Sequence, residues 1–173
     1  MDQANLWAPW RMEYLRDLPE AEGGPRGCFL CQAWNDSAGD ARALVVHRDP
    51  AAGVMLIMNR FPYTTGHLMV VPGEHISDLI DTAPPLRAAM MEMTVIAQRL
   101  IGAALNPQGL NIGINIGRAA GAGVPGHLHV HLVPRWGGDT NFINVIGQVR
   151  VIPQALEQTY DELRAALPNV IKS

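Results

Sequence analysis

The chain has 173 residues, two cysteines and a formal net charge of −3. That length predicts one domain with a sizeable core, and the charge gives no basic field that would draw nucleic acid or a membrane surface. Two cysteines are too few for a disulfide framework, no apolar run reaches transmembrane length and the start lacks a signal-peptide pattern, so a cytoplasmic protein is expected.

Residues 1–18 carry Leu6, Trp7, Trp10, Met12, Tyr14 and Leu15, which predicts an ordered segment with a short helix after Pro9. A Pro/Gly-marked loop over 19–27 leads to the stretch from Cys28 to Trp34, and a polar loop runs from Asn35 to Asp40. Ala43 to Arg48 and Val54 to Asn59 read as two strands of a hairpin, and His67 to Val71 as a third strand ended by Pro72. From Pro84 to Leu105 the apolar residues Leu86, Met90, Met93, Ala97, Leu100, Ile101 and Leu105 recur at helical steps. Thr82 is the expected N-cap, with prolines tolerated in the first turn. Leu110 to Ile116 alternates as a fourth strand, a glycine-rich loop covers 117–126, and a fifth strand runs from His127 to Pro134. A second principal helix is expected over 153–167. Five strands with hairpins at the start and two principal helices predict an α+β fold rather than a doubly wound sheet.

Residues 127–131 read His-Leu-His-Val-His. In a strand, successive side chains alternate between faces, so His127, His129 and His131 share one face while Leu128, Val130 and Leu132 bury the other. Three imidazoles in a row disfavour one another's protonation and offer donors and acceptors near neutral pH. Such a row suits an anion, a metal or nucleophilic chemistry. The preceding loop has Gly117, Gly121, Gly123 and Gly126, which let backbone N–H groups turn toward an oxyanion. Cys28-x-x-Cys31 is the second constellation: two thiolates at this spacing grip one tetrahedral zinc, which then needs two more ligands. A redox Cys-x-x-Cys lacks its βαβ context here.

The run from His127 to Val133 resembles the His-φ-His-φ-His-φ-φ signature (φ apolar) of the histidine triad family of nucleotide hydrolases and transferases. The likeness extends to Asn59-Arg-Phe-Pro-Tyr-Thr-Thr-Gly-His67, to Gly109-Leu-Asn-Ile-Gly-Ile-Asn115 and to Pro134-Arg-Trp-Gly-Gly-Asp-Thr-Asn-Phe142. The last segment is similar to the bacterial diadenosine tetraphosphate phosphorylase-like branch. The resemblance implies a HIT-like fold with a five-stranded antiparallel sheet, usually in a homodimer. The chain would then be one such domain, with its core at about 43–135, an N-terminal zinc-knuckle segment over 1–42 and the C-terminal helix over 153–167.

The resemblance also implies roles. His129 would be the nucleophile, forming a nucleotidyl-histidine by in-line attack on an α-phosphate. His131 would contact phosphate and help the leaving group depart, and His67 would sit behind the triad. Asn115, Gly121, Gly123 and Gly126 would surround the phosphates. Asn59 stands where many relatives place an aspartate on the ribose, and Phe61 and Tyr63 would line the base pocket. Relatives often carry a polar, leaving-group-contacting side chain at the place of Val124, which is apolar here. Zinc-containing relatives complete the cysteine pair with residues matching His75 and His127, giving a structural Cys28, Cys31, His75 and His127 site. No organic cofactor is expected. His47, Arg118 and Arg135 are expected to be solvated or paired rather than functional.

Three branches follow for an adenine nucleotide or dinucleoside polyphosphate substrate. With inorganic phosphate as acceptor the chain is a diadenosine tetraphosphate phosphorylase, which the segments around Asn59 and Pro134 favour. With water it is a diadenosine polyphosphate hydrolase, and with an N-linked leaving group a nucleoside phosphoramidate hydrolase. Two further classes stand beside these. One is a metalloenzyme in which His127 and His129 share a catalytic metal; the other is a non-catalytic nucleotide-binding module.

Overall fold

The computed structural model of the chain describes residues 27–139 and 154–172. The expected helix after Pro9, and Pro153 at the start of the last helix, lie outside the described residues. Five strands form one sheet: β1 (Val45–Asp49), β2 (Val54–Met58), β3 (Leu68–Pro72), β4 (Gly109–Ile114) and β5 (Val130–Arg135). Their order is β1-β2-β3-β5-β4, and every neighbouring pair is antiparallel. Four α-helices are described: α1 (Phe29–Asn35), α2 (Asp40–Ala43), α3 (Pro84–Leu105) and α4 (Leu156–Val170).

Strands β2 and β3, both inside the sheet, are buried along their whole length because both sheet faces are covered there. Val54, Leu56 and Met58 turn into the larger core beneath α3 and α4, while Met55 and Ile57 turn into a second cluster with Leu30, Cys28 and Cys31. The chain enters β3 through Gly66, whose φ is +75° and where a Cβ would run into the side chain of Leu105. Only glycine meets both demands.

Helix α3 begins with Pro84 and Pro85 in its first turn and ends at Asn106 in the left-handed region. Its N-cap residue is Ala83, with no side-chain cap. The expected cap, Thr82, instead donates its hydroxyl back to Asp78 O at 2.7 Å. By length and mean hydropathy (1.3) α3 passes for a membrane-spanning helix. It nonetheless sets Leu86, Met90, Met93, Ala97, Leu100 and Ile101 into the core and exposes Arg87, Glu92 and Arg99. Helix α4 is held to the edge of the sheet by Tyr160, which donates to Val45 O at 3.2 Å, and by Arg164, which donates to Val46 O at 2.7 Å.

Two further expectations shift. The polar stretch after Asn35 forms a 3-10 turn (Ser37–Gly39) and then α2, with the Asp36 side chain accepting from Gly39 N–H. The fifth strand starts at Val130 rather than His127. His127 and His129 precede the ladder because their backbone and rings are bonded elsewhere. The alternation survives: Leu128, Val130 and Leu132 lie in the larger core, and the three histidines face the opposite side.

Candidate functional site

The histidine row lies on the sheet face that carries α1 and the cysteines. His131 stands directly across from Met69 of β3 and Gly113 of β4. His129 Nδ1 lies 2.8 Å from His127 O. A carbonyl only accepts, so Nδ1 carries the proton and Nε2 keeps its lone pair. Burial pushes the His129 pKa down, which keeps that lone pair available at neutral pH. The His129 and His131 rings meet edge to face with centroids 4.6 Å apart.

Behind them, His67 is fully buried and its Nε2 lies 2.9 Å from His131 Nδ1. Tyr63 N–H donates to His67 Nδ1 at 3.1 Å, and Asn59 Nδ2 approaches the same atom at 3.4 Å. The side-chain oxygen of Asn59 accepts from Phe61 N–H at 2.9 Å, which sets the direction of its amide. Asn115 Nδ2 reaches 3.5 Å from both Gly121 O and His131 Nε2. The loop after β4 turns at Gly117 and Gly121, with φ of +76° and +87°. Gly121 N–H is spent on that turn, donating to Arg118 O at 2.9 Å, so Gly121 shapes the loop rather than offering its amide. A side chain would meet open space at Gly123 and His75 Nε2 at 3.4 Å at Gly126.

Burial and the neighbouring His129 push His131 down to about 4. An unfolded histidine titrates near 6.5, so below that value the unfolded chain takes a proton that the native one refuses. Above pH 6.5 His131 contributes nothing to this balance. As pH falls from 6.5 toward 4, stability falls by about 1.4 kcal/mol per pH unit on its account. Urea unfolding at pH 7.5 and pH 5 should therefore show a flatter pH dependence in His131→Asn than in the wild type; equal slopes would contradict it.

Beside the row, a cavity of about 470 Å³ is lined by Phe29, Gln32 and Ala33 of α1, by Ile57 and Met58 of β2, and by Asn59, Phe61 and Arg42. Phe61 is 81% exposed at its mouth. The sequence pointed to Asn59 and Phe61 but not to α1, a seven-residue helix too short to show a period. Arg48 of β1 is what docks α1: it donates to Ala33 O and Trp34 O at the helix C-terminus (2.6 and 2.9 Å) and pairs with Asp40. Trp34 in turn lies so close over Gly73 that a Cβ there would collide with its ring. Arg135 is paired with Asp139 and Asn111, and His47 is half-buried on β1, its pKa lowered by burial.

Cys28, Cys31, His75 and His127 form a second centre, with four ligand atoms all within 4.8 Å of one another. Cys31 Sγ lies 3.2 Å from His75 Nδ1 and 3.5 Å from His127 Nδ1, and Cys28 Sγ lies 3.4 Å from His127 Nδ1. Tetrahedral bonds of about 2.3 Å to sulfur and 2.0–2.1 Å to nitrogen would set such pairs about 3.5 Å apart. His127 Nε2 donates to Pro72 O at 2.9 Å, which leaves Nδ1 unprotonated and aimed at the cluster. The donor set thus fits one tetrahedral cation. Burial and the neighbouring Cys28 push the Cys31 thiol up to about 11, a cost that a bound cation reverses.

A profile of the HIT domain matches residues 39–138. The chain is 42% identical over 156 residues to a Mycobacterium tuberculosis protein named AP-4-A phosphorylase, covering 89% of this chain and 79% of that one. It is 30% identical over 108 residues to the adenylylsulfatase HINT3 of Arabidopsis thaliana, covering 62% and 52%. Among solved structures, a Zn-bound histidine triad family protein from Mycobacterium smegmatis superimposes with a TM-score of 0.65 at 35% identity, over 86% of this chain and 99% of that one. A histidine triad nucleotide-binding protein from Sulfolobus tokodaii shares the fold, with a TM-score of 0.65 at 24% identity over 84% and 92%. With the five-stranded sheet, the three histidines on one face and a matching profile over most of the sheet, the chain belongs to the HIT domain family.

Proposed function

We propose that this chain cleaves nucleoside polyphosphates through a nucleotidyl-His129 intermediate, as a diadenosine tetraphosphate phosphorylase. The observation that carries this is the His129 Nδ1–H bond to His127 O, which leaves Nε2 as an unprotonated nucleophile. Nε2 attacks the α-phosphorus; the N–P bond forms as the P–O bond to the remaining polyphosphate breaks, and the electron pair leaves on that oxygen as ATP. Inorganic phosphate then attacks the same phosphorus, the P–N bond breaks, and ADP departs with His129 restored. His131 Nε2 and Asn115 Nδ2 stand together where charge builds on the phosphate oxygens. Gly121, Gly123 and Gly126 give the loop room to approach them. The cavity beside α1 takes the base, with Asn59 at the ribose and Phe61 closing the mouth. The 42% identity to the mycobacterial AP-4-A phosphorylase supports phosphate rather than water as acceptor.

Cys28, Cys31, His75 and His127 would hold a structural zinc, tying α1 to the turn that precedes His129. The chain would act as a homodimer in the cytoplasm, without an organic cofactor. In support of a dimer, β4 is an edge strand with Ile112 46% exposed, which a second β4 would cover.

Product analysis with diadenosine tetraphosphate tests the reading. ADP and ATP should form only when inorganic phosphate is present. AMP and ATP regardless of phosphate would make the chain a hydrolase, and tight nucleotide binding without turnover would make it a binding module.

A further inference from the structure

The charged side chains that line the cavity beside α1 are Asp36, Arg42 and Arg60. Asp36 and Arg42 pair at 2.8 Å, both exposed, and largely cancel one another's field. Arg60 stands apart from that pair. Its Nη2 donates to Arg42 O at 2.8 Å, which anchors the guanidinium against the backbone of α2. None of the ion pairs among the described residues includes it. A single carbonyl uses one arm of the guanidinium fork and leaves the rest to a ligand. The cavity thus keeps an uncancelled positive charge on the residue that follows Asn59.

Asn59 lines the same cavity with a neutral side chain. Phe61 N–H donates to its Oδ1 at 2.9 Å, which sets the direction of the amide. Its Nδ2 makes only a 3.4 Å approach to His67 Nδ1, an atom already served by Tyr63 N–H at 3.1 Å. Nδ2 therefore keeps hydrogen to give. The carboxylate that lines the cavity, Asp36, is engaged by Arg42 and by Gly39 N–H. Asn59 and Arg60 together present donors and positive charge, with no carboxylate of their own to repel an anion.

Adenine nucleotides differ at the ribose, where some carry a monophosphate on the 2′ or the 3′ oxygen. Such a group is held by charge-assisted donors and repelled by a carboxylate. Arg60 is exposed, so a phosphate beside it keeps part of its hydration and the pairing carries little desolvation cost. We propose that Asn59 and Arg60 form a subsite for a phosphate on the ribose, so that the chain binds adenine nucleotides phosphorylated at the 2′ or 3′ oxygen at least as tightly as their unmodified counterparts. This rests on the placing of the ribose at Asn59 in the proposed function.

Isothermal titration calorimetry on the full chain at low salt tests this with adenosine 5′-monophosphate, adenosine 3′,5′-bisphosphate and adenosine 2′,5′-bisphosphate. The wild type should bind at least one bisphosphate with a Kd no higher than that of the monophosphate, and its identity says which ribose oxygen faces Arg60. Arg60→Gln should raise the Kd of that bisphosphate relative to the monophosphate at least about threefold, because it removes a charge-assisted contact at an exposed place. Asn59→Asp should raise the same ratio at least about tenfold, because a carboxylate then faces a dianion at close range. All the probes carry the same adenosine 5′-phosphate, so any loss of fold or of ribose contact cancels in the ratio. Weaker binding of both bisphosphates than of the monophosphate by the wild type overturns the proposal. A ratio left unmoved by either substitution overturns it too, since the added phosphate would then lie elsewhere. Turnover of diadenosine tetraphosphate, measured alongside, keeps the two readings apart. With turnover intact, either of those results strikes the subsite alone; with neither turnover nor binding of any of these nucleotides, the proposed function falls and takes the subsite with it.

Discussion

His129→Ala loses diadenosine tetraphosphate turnover by about 10⁴-fold or more, while nucleotide affinity changes by less than about tenfold. The size follows from the geometry. His129 is the residue of the row whose Nδ1 proton is tied to a backbone carbonyl, so Nε2 is fixed both in direction and in protonation state. In the proposed mechanism, removing it removes the group that splits one displacement at phosphorus into two. The neighbouring donors, His131 and Asn115, remain in place and still hold a phosphate, which is why binding survives. His131 does not substitute as nucleophile: Tyr63 N–H donates to His67 Nδ1, so His67 Nε2–H donates to His131 Nδ1 and the His131 proton sits on Nε2. Acid-labile adenylylation of the wild type, caught by rapid mixing and mass spectrometry and missing from His129→Ala, completes the expectation. Undiminished turnover in the variant would sink the covalent mechanism.

The row at 127–131 was legible because alternation is a property of extended backbone, not of the ladder. His127 and His129 lie outside β5, yet their side chains keep the face the period assigns them. The Cys28–Cys31 pair was legible by spacing, and its partners His75 and His127 through the family likeness; the structure brings all four together. What was hidden depends on backbone atoms and long-range docking. Tyr63 fixes the state of His67 with its N–H, which any residue but proline would supply, so no side-chain pattern announces it. Helix α1 exists because Arg48 binds its last carbonyls and Trp34 lies on Gly73, contacts made across many residues of sequence. Thr82 looked like a cap because threonine often is one, but Asp78 O lay within its reach first.

The same docking makes the fold sensitive to a single change at the cysteine cluster. Cys28 and Cys31 lie at the start of α1, His75 just beyond β3, and His127 two residues before His129. Among the described residues these three segments meet at four buried or half-buried ligands, and α1 also lines the cavity. A structural zinc would hold them together; without it, two thiols and two imidazoles are left with weak sulfur contacts in a buried site. Stripping the metal with a strong chelator, or Cys31→Ser, should cost at least about 3 kcal/mol in urea unfolding. Metal analysis of the untreated protein should find one zinc per chain. The order of events separates a structural from a catalytic ion. If the zinc is structural, turnover falls only as the fold loosens, and a brief chelator exposure at low temperature leaves both intact. Turnover lost at once, while urea stability is unchanged, would mean that His127 and His129 bind a catalytic metal and that the nucleotidyl-histidine mechanism is wrong.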